Sequence, residues 1–287
     1  MTAKGADGLA ALPPLREIIR AHGLNADKRF GQHFLTDPNI LERIVRAAGP
    51  LDEGTVIEVG PGPGGLTRAL LAGGAARLIT VEIDPRCVPI LEEIAAASDG
   101  RLGVHVGDAL DLDATTLGPA PRRIVANLPY NVATPLLIGW LAQIAVADGA
   151  FAGLTLMFQR EVADRLVAKP GVKSYGRLSI LTQWLTEPRK LFDLPGGAFT
   201  PPPKVASSVV GLTPKRTAPG AAAFRAMERT TAAAFGQRRK MLRQSLKSIG
   251  PGALDALAAV DIDPTRRAES LSVEEFARLA AAIGESP

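Results

Sequence analysis

The chain has 287 residues, 46% of them hydrophobic and 22% charged, an ordinary composition for a soluble globular protein, and at roughly 150 residues per domain the length gives about two domains. A single cysteine, Cys87, excludes an internal disulfide and a cysteine-rich zinc site, and His22, His33 and His105 are scattered, so no metal site is expected. The net charge of +4 is unevenly spread: Lys215 to Ser248 holds nine basic residues against Glu228 alone, so that segment is +8, the rest sums to −4, and a polyanion partner is implied.

Residues 1 to 27 read as a flexible arm with one short helix over Leu15 to Ala21. They carry no long apolar core behind a basic start, so no secretion signal is read. With the single cysteine this fits a reducing compartment, and a cytoplasmic location is expected. Asp37 before Pro38 is a helix start, with Ile40, Leu41, Ile44 and Val45 at helical spacing and Gly49 as the stop. From Thr55 short apolar runs alternate with helix-like stretches. Strands are predicted at 56–60, 78–84, 102–110, 122–128 and 154–159, and helices at 66–73, 85–97 and 135–147. The apolar stretch from Pro135 to Phe158 is broken by Gln143, Asp148, Gly149 and Gly153. It therefore reads as a buried helix, a turn and a strand, not as a membrane span. REVADRLVAKPG is the next helix, and RKLFDLP and ASSVVGLTP are two late strands finishing the sheet as a hairpin. Alternation of this kind predicts an α/β fold with a parallel sheet covered on both faces. Past Pro214 to Pro219 strand signals vanish, and helices are predicted at 221–236, 237–249, 252–259 and 272–284.

EVGPGPGGLT follows the first of these strands and opens a helix, with Gly60, Gly62 and Gly65 in the pattern G-x-G-x-x-G. A dinucleotide site, a site for S-adenosylmethionine and a purely structural turn all use such a loop. Glu58 points the same way as Gly60, because strand side chains alternate. A carboxylate there would repel a pyrophosphate but suits a ligand bearing an ammonium and a sulfonium. Pro61 and Pro63 also remove two N–H donors that a phosphate would want. Glu82, 22 residues beyond Gly60, ends the second strand where ribose hydroxyls are accepted, or is a surface carboxylate. Asp108 in GDAL ends the third and can accept from an adenine amine.

NLPYN ends the fourth strand. Two acceptors aimed at an exocyclic amine would free its lone pair from the ring. Asn127 supplies a side-chain oxygen, Leu128 a backbone carbonyl directed by Pro129, and Tyr130 a ring to lie against the base. An asparagine cap beside a packed tyrosine is the plainer alternative.

EVGPGPGGLT, VEID, GDAL and NLPYN, in this order, resemble a class I S-adenosylmethionine-dependent methyltransferase acting on adenine N6. With KRFGQHFL, FQREVADRL, YGRLS, FTPPPKV, FGQRRKMLRQSL and IDPTRRAESLS, the chain from about Lys28 to Leu279 resembles the ribosomal small-subunit RNA adenine dimethylase family. The resemblance implies a Rossmann-like methyltransferase sheet at 28–214 and a small all-α RNA-binding domain at 215–287. It implies that two methyls go to each of two adjacent adenines of 16S rRNA in the small ribosomal subunit, with S-adenosylmethionine as cofactor. A monomer is expected, with a role in subunit biogenesis. Cofactor contacts are implied at His33, Leu35, Gly60, Glu82, Asp108 and Asn127, beside Glu58 and Gly62 of the loop. The commonest form of the first motif has asparagine where this chain has His33. Phe199 is implied as a second wall for the flipped base, with a core phenylalanine as the alternative. On a helix over 237–249, Arg239, Arg243 and Lys247 would share one face, flanked by Arg238 and Lys240; these would grip RNA phosphates, or be an ordinary solvated face. Three other readings stand beside this one: a large-subunit rRNA dimethylase, a non-catalytic assembly factor, and an NAD-dependent oxidoreductase for which no hydride-transfer residues are found.

Overall fold

The computed structural model describes residues 8–24, 26–27, 32–250 and 252–285. The first seven residues of the expected arm and the Lys28 to Gly31 part of KRFGQHFL lie outside them. The helix Leu15–Ala21 forms as predicted, and Leu9, Ile18 and Leu24 around it are buried in the hydrophobic core.

The chain next lays down strand β1 (Phe34–Leu35) and a helix, Pro38–Ala47. Asp37 Oδ1 accepts from the amides of Asn39 and Ile40, which would otherwise lack partners in the first turn. Strands β2 (Thr55–Val59), β3 (Leu78–Glu82), β4 (Leu102–Val106), β5 (Arg122–Asn127) and β6 (Gly153–Gln159) follow, separated by the helices Gly65–Ala72, Val88–Ala96 and Tyr130–Val146. All five of these strands pair in parallel. Every residue of β2 is buried, as covering on both faces demands. The last strands are β7 (Thr186–Leu194), β8 (Phe199–Thr200) and β9 (Ser207–Pro214).

The seven-stranded sheet has the order β4-β3-β2-β5-β6-β9-β7, with β9 antiparallel to β6. RKLFDLP and ASSVVGLTP thus lie in neighbouring strands that finish the sheet. Strand order reverses between β2 and β5, which opens a crevice at their carboxyl ends. The predicted third strand stops at Val106, because Asp108 caps a short 3-10 turn, Ala109–Asp111, by accepting from the Leu110 amide. Two features have no counterpart in the sequence reading. Helix Arg177–Leu185 grows out of YGRLS, where the Ser179 hydroxyl accepts from the Gly176 amide. The other is a separate two-stranded sheet, β1 against β8, pairing Phe34 with Thr200 and Leu35 with Phe199.

Two compact units emerge. The first comprises residues 1–140, 149–160 and 190–213, and the second 141–148, 161–189 and 214–287. Besides changing over at 213/214, beside the predicted boundary, the second unit takes in two earlier segments. It is built on the helices Ala221–Gly236 and Val273–Glu285, with Phe224, Met227, Ala234, Phe276 and Leu279 buried. Stacked rings of Phe235 and Phe276, 5.9 Å apart, and the Tyr175 hydroxyl, which donates to the Leu271 carbonyl, tie it together. No helix among the described residues is long and apolar enough to cross a membrane.

The single helix expected over 237–249 does not form. After Gly236 the chain turns through 237–241, then makes only the short helix Leu242–Ser245 and a 3-10 turn, Leu246–Ser248. The reason is competition for backbone donors: Met241 makes an isolated bridge with Arg267, and the amides of Leu242 and Arg243 donate to the carbonyls of Arg266 and Pro264.

Candidate active site

All four strand ends beside the reversal deliver a carboxylate or an amide, Glu58 in β2, Glu82 in β3, Asp108 just past β4 and Asn127 in β5, and the glycine loop follows β2. Gly60 and Gly62 both sit in the left-handed region, at φ +68° and +56°, where a side chain would be strained. Gly65 is held small for another reason: a Cβ there would lie 2.8 Å from the Leu35 carbonyl oxygen. The loop therefore presents bare backbone to a cavity of about 330 Å³. That cavity is lined by every cofactor or catalytic candidate from the sequence: His33, Leu35, Glu58, Gly60, Gly62, Glu82, Asp108, Asn127, Leu128, Tyr130 and Phe199.

Glu58 is buried, and desolvation pushes its carboxyl up to about 8; the Thr67 hydroxyl, donating at 2.7 Å, opposes this, and the nearby Glu82 adds to it. Glu82 is likewise raised, mainly by burial. One of its oxygens accepts from the Gly62 amide at 2.9 Å and the other from the Asp84 amide at 2.8 Å. Two buried acids facing one cavity make it receptive to a cation, since a positive charge beside them would favour their ionised forms. A ligand bearing a sulfonium and an ammonium fits that electrostatic demand. Asp108 sits exposed at the rim, its Oδ1 held by the Leu110 amide.

The Glu58 shift has a consequence for stability. A folded-state value near 8 against an ordinary 4.5 means the unfolded chain loses this proton first. The contribution is present below about pH 4.5 and is lost progressively as pH rises towards 8. In thermal melts of the ligand-free protein, Glu58→Gln is expected to flatten that decline. At pH 8 it should be more stable than the parent by on the order of a few kcal/mol. Parallel curves for the two proteins would show that folding leaves the Glu58 pKa unshifted.

At the fourth strand end, the Asn127 side-chain amide donates to the His33 carbonyl at 3.0 Å. A carbonyl can only accept, so the NH₂ faces His33, and Oδ1 is the end left to accept from a ligand. The Tyr130 hydroxyl and the Ser207 hydroxyl share a hydrogen bond of 2.5 Å, and burial raises the phenol's pKa although that bond opposes it, so Tyr130 is a neutral ring. Phe199 is 4% exposed and belongs to the core cluster, yet its ring also lines the cavity, so wall and core residue coincide in it. His33 turns its ring to the Pro201 carbonyl, with Nδ1 at 2.8 Å.

These positions fit one family. A ribosomal RNA adenine dimethylase model matches residues 23–285. The chain belongs to the ribosomal RNA adenine dimethylase family. It is 59% identical over 272 residues to a ribosomal RNA small subunit methyltransferase A of Rhodospirillum rubrum, covering 95% of this chain and 93% of that one. It is 58% identical to the protein of that name from Paramagnetospirillum magneticum, covering 96% of each. Among solved structures, a dimethyladenosine transferase from Plasmodium falciparum superposes with a TM-score of 0.72 at 28% identity, covering 86% of this chain and 96% of that one. The 23S rRNA methyltransferase ErmE shares the fold, at a TM-score of 0.64 and 24% identity, covering 87% and 99%. The dimethylase is thus an enzyme with the expected class I methyltransferase sheet, and the oxidoreductase reading falls away.

Sequence reasoning missed the supports of this dimethylase site. Thr67 holds Glu58, Ser207 holds Tyr130, and Gln32 joins Asp84 through its Nε2 at 2.8 Å. Thr67 was within view as the last residue of EVGPGPGGLT; Ser207 carries no local signal. Of the five basic candidates in the second unit, Arg239, Lys240, Arg243 and Lys247 are exposed, but they share no helix face because the predicted helix is broken. Arg238 instead pairs with Glu269, its Nε 3.0 Å from the carboxylate.

Proposed function

We propose that this dimethylase transfers methyl groups from S-adenosylmethionine to N6 of two adjacent adenines of 16S rRNA in the small ribosomal subunit, in the cytoplasm. One observation carries the reading: a single cavity holds the glycine loop, the three strand-end acids and the NLPY corner together. The names of the relatives at 58–59% identity favour the small subunit over the large.

When bound, S-adenosylmethionine supplies an electrophilic methyl on a positively charged sulfur. Glu82 is suited to ribose hydroxyls through lone pairs not taken by the Gly62 and Asp84 amides. Asp108 is suited to the adenine amine of the cofactor, and Glu58 to the positive charge. For the substrate base, Asn127 Oδ1 and the Leu128 carbonyl accept from the two hydrogens of its amine. That pulls the nitrogen out of conjugation and turns its lone pair away from the acceptors. Tyr130 and Phe199 bracket the ring. The base must leave its stack to reach them, which costs least in unpaired RNA. After one methyl is added the amine keeps a single hydrogen, so one acceptor releases it before the second transfer. No general base is needed, because a ring-conjugated amine once alkylated holds its extra proton weakly and yields it to water.

The exposed basic residues of the second unit, Arg239, Lys240, Arg243 and Lys247, are proposed to grip phosphates. Each alanine substitution among them should lower the slope of log affinity against log salt by roughly 0.7–0.9, with little change in melting temperature. Arg238→Ala should differ, lowering stability through lost pairing with Glu269. A slope unchanged in all four exposed variants would take the phosphate contacts elsewhere.

The decisive assay presents the protein with labelled cofactor and, in parallel, unmethylated small subunits, naked rRNA and large subunits. Label is expected in small subunits as N6,N6-dimethyladenine. Label confined to large subunits would reverse the substrate, and bound cofactor with no transfer anywhere would leave a non-catalytic assembly factor.

A further inference from the structure

His33 occupies a position where a contact to the cofactor was expected, yet its bonds run to the other half of the site. Its backbone carbonyl accepts from Asn127 Nδ2 at 3.0 Å. Its ring nitrogen Nδ1 lies 2.8 Å from the Pro201 carbonyl oxygen. That oxygen can only accept, so Nδ1 carries the proton and donates. The ring stands 6.0 Å from Tyr130, centroid to centroid, at 34° between planes. Directly beyond it, β1 pairs with β8, setting Leu35 opposite Phe199.

One residue therefore reaches three parts of the base pocket. Its carbonyl decides which end of the Asn127 amide faces the cavity. Its ring secures the turn that follows Phe199. Its neighbours Phe34 and Leu35 hold the strand that carries Phe199. We propose that His33 is a positioning residue for the target base, setting the acceptor Asn127 Oδ1 and the Phe199 wall in register. The inference rests on the amine-gripping role given above to Asn127.

The chemistry suggests its own control. Nδ1 of histidine and Nδ2 of asparagine are both attached to Cγ, so asparagine at 33 can offer an N–H to the Pro201 carbonyl from nearly the same point. Phenylalanine keeps a ring but offers no donor. Four single-site proteins, His33→Asn, His33→Phe, His33→Ala and Asn127→Ala, would be compared with the parent in two measurements. These are cofactor affinity by calorimetry and single-turnover methyl transfer to unmethylated small subunits at saturating cofactor.

His33→Phe and His33→Ala are expected to slow transfer on the order of tenfold, as the loss of one orienting hydrogen bond does, with cofactor affinity within about threefold of the parent. His33→Asn should recover most of the rate. Melting temperatures close to the parent's would accompany both results. If His33→Ala instead weakens cofactor binding in step with the loss of rate, the ring is a cofactor ligand and the proposal is wrong. Unchanged transfer in His33→Phe, or no recovery in His33→Asn, overturns it as well. Asn127→Ala separates the two levels: if it transfers normally, the amine-gripping reading itself fails. If it is inactive while His33→Phe is normal, only the role of His33 is lost.

Discussion

Alanine at position 127 is expected to slow methyl transfer by about 10²–10³-fold, the loss typical of deleting one oriented polar group that acts on the transition state. Cofactor affinity should fall only a few-fold. The asymmetry comes from what the amide does in the structure. Its NH₂ is taken by the His33 carbonyl, which leaves its oxygen as the end free to accept. In the proposed mechanism the target amine would meet that oxygen most strongly as its nitrogen becomes tetrahedral. Aspartate offers no rescue: a carboxylate has no N–H for His33 and would set an anion against a carbonyl oxygen. Single-turnover transfer and calorimetric cofactor titration on the same preparations separate the effects. Normal transfer by Asn127→Ala would remove the residue from the chemistry. Complete loss of cofactor binding would make it a cofactor ligand first.

Glutamine at position 82 should weaken cofactor binding by about 10–100-fold, although it is nearly isosteric with glutamate. Both oxygens of Glu82 already accept from backbone amides, those of Gly62 and Asp84. In glutamine one of the two ends becomes an NH₂, and donor then meets donor at one of these amides. A buried N–H left without an acceptor unsettles the site in the free protein, and losing a carboxylate that would accept from the cofactor costs about 1–3 kcal/mol of binding, which converts to the stated range. At Gly62 the penalty would fall on the glycine loop itself. Transfer at saturating cofactor should stay within a few-fold of the parent, because the loss is felt in binding rather than at the reacting nitrogen. Equal affinity for Glu82→Gln and the parent would mean that the carboxylate holds neither the loop nor the cofactor; a lost turnover with unchanged affinity would move Glu82 to the reacting centre.

Much of the first unit was legible because its signals are local. A strand buried on both faces writes itself as VIEV, a left-handed turn as glycine, and an N-cap as Asp37 before Pro38. The chemical candidates were legible for the same reason. Strand ends fall at predictable intervals, so the sequence alone assigns Glu58, Glu82, Asp108 and Asn127 to one crevice. The helix over 237–249 failed on a non-local cause. FGQRRKMLRQSLK has ordinary helical spacing, but residues 264–267 compete for its donors, and no helix-length window on the sequence contains both partners.

The sequence by itself determined the alternating strands and helices, the glycine loop, the set of polar groups around the crevice and the family to which they belong, because each depends on neighbours along the chain. Only the tertiary structure decided which way the Asn127 amide faces and where the His33 ring points. It also decided that Arg238 serves Glu269. These depend on single hydrogen bonds between residues 94, 168 and 31 positions apart. Such bonds are made by closure of the fold, which brings together groups that no periodicity or motif relates.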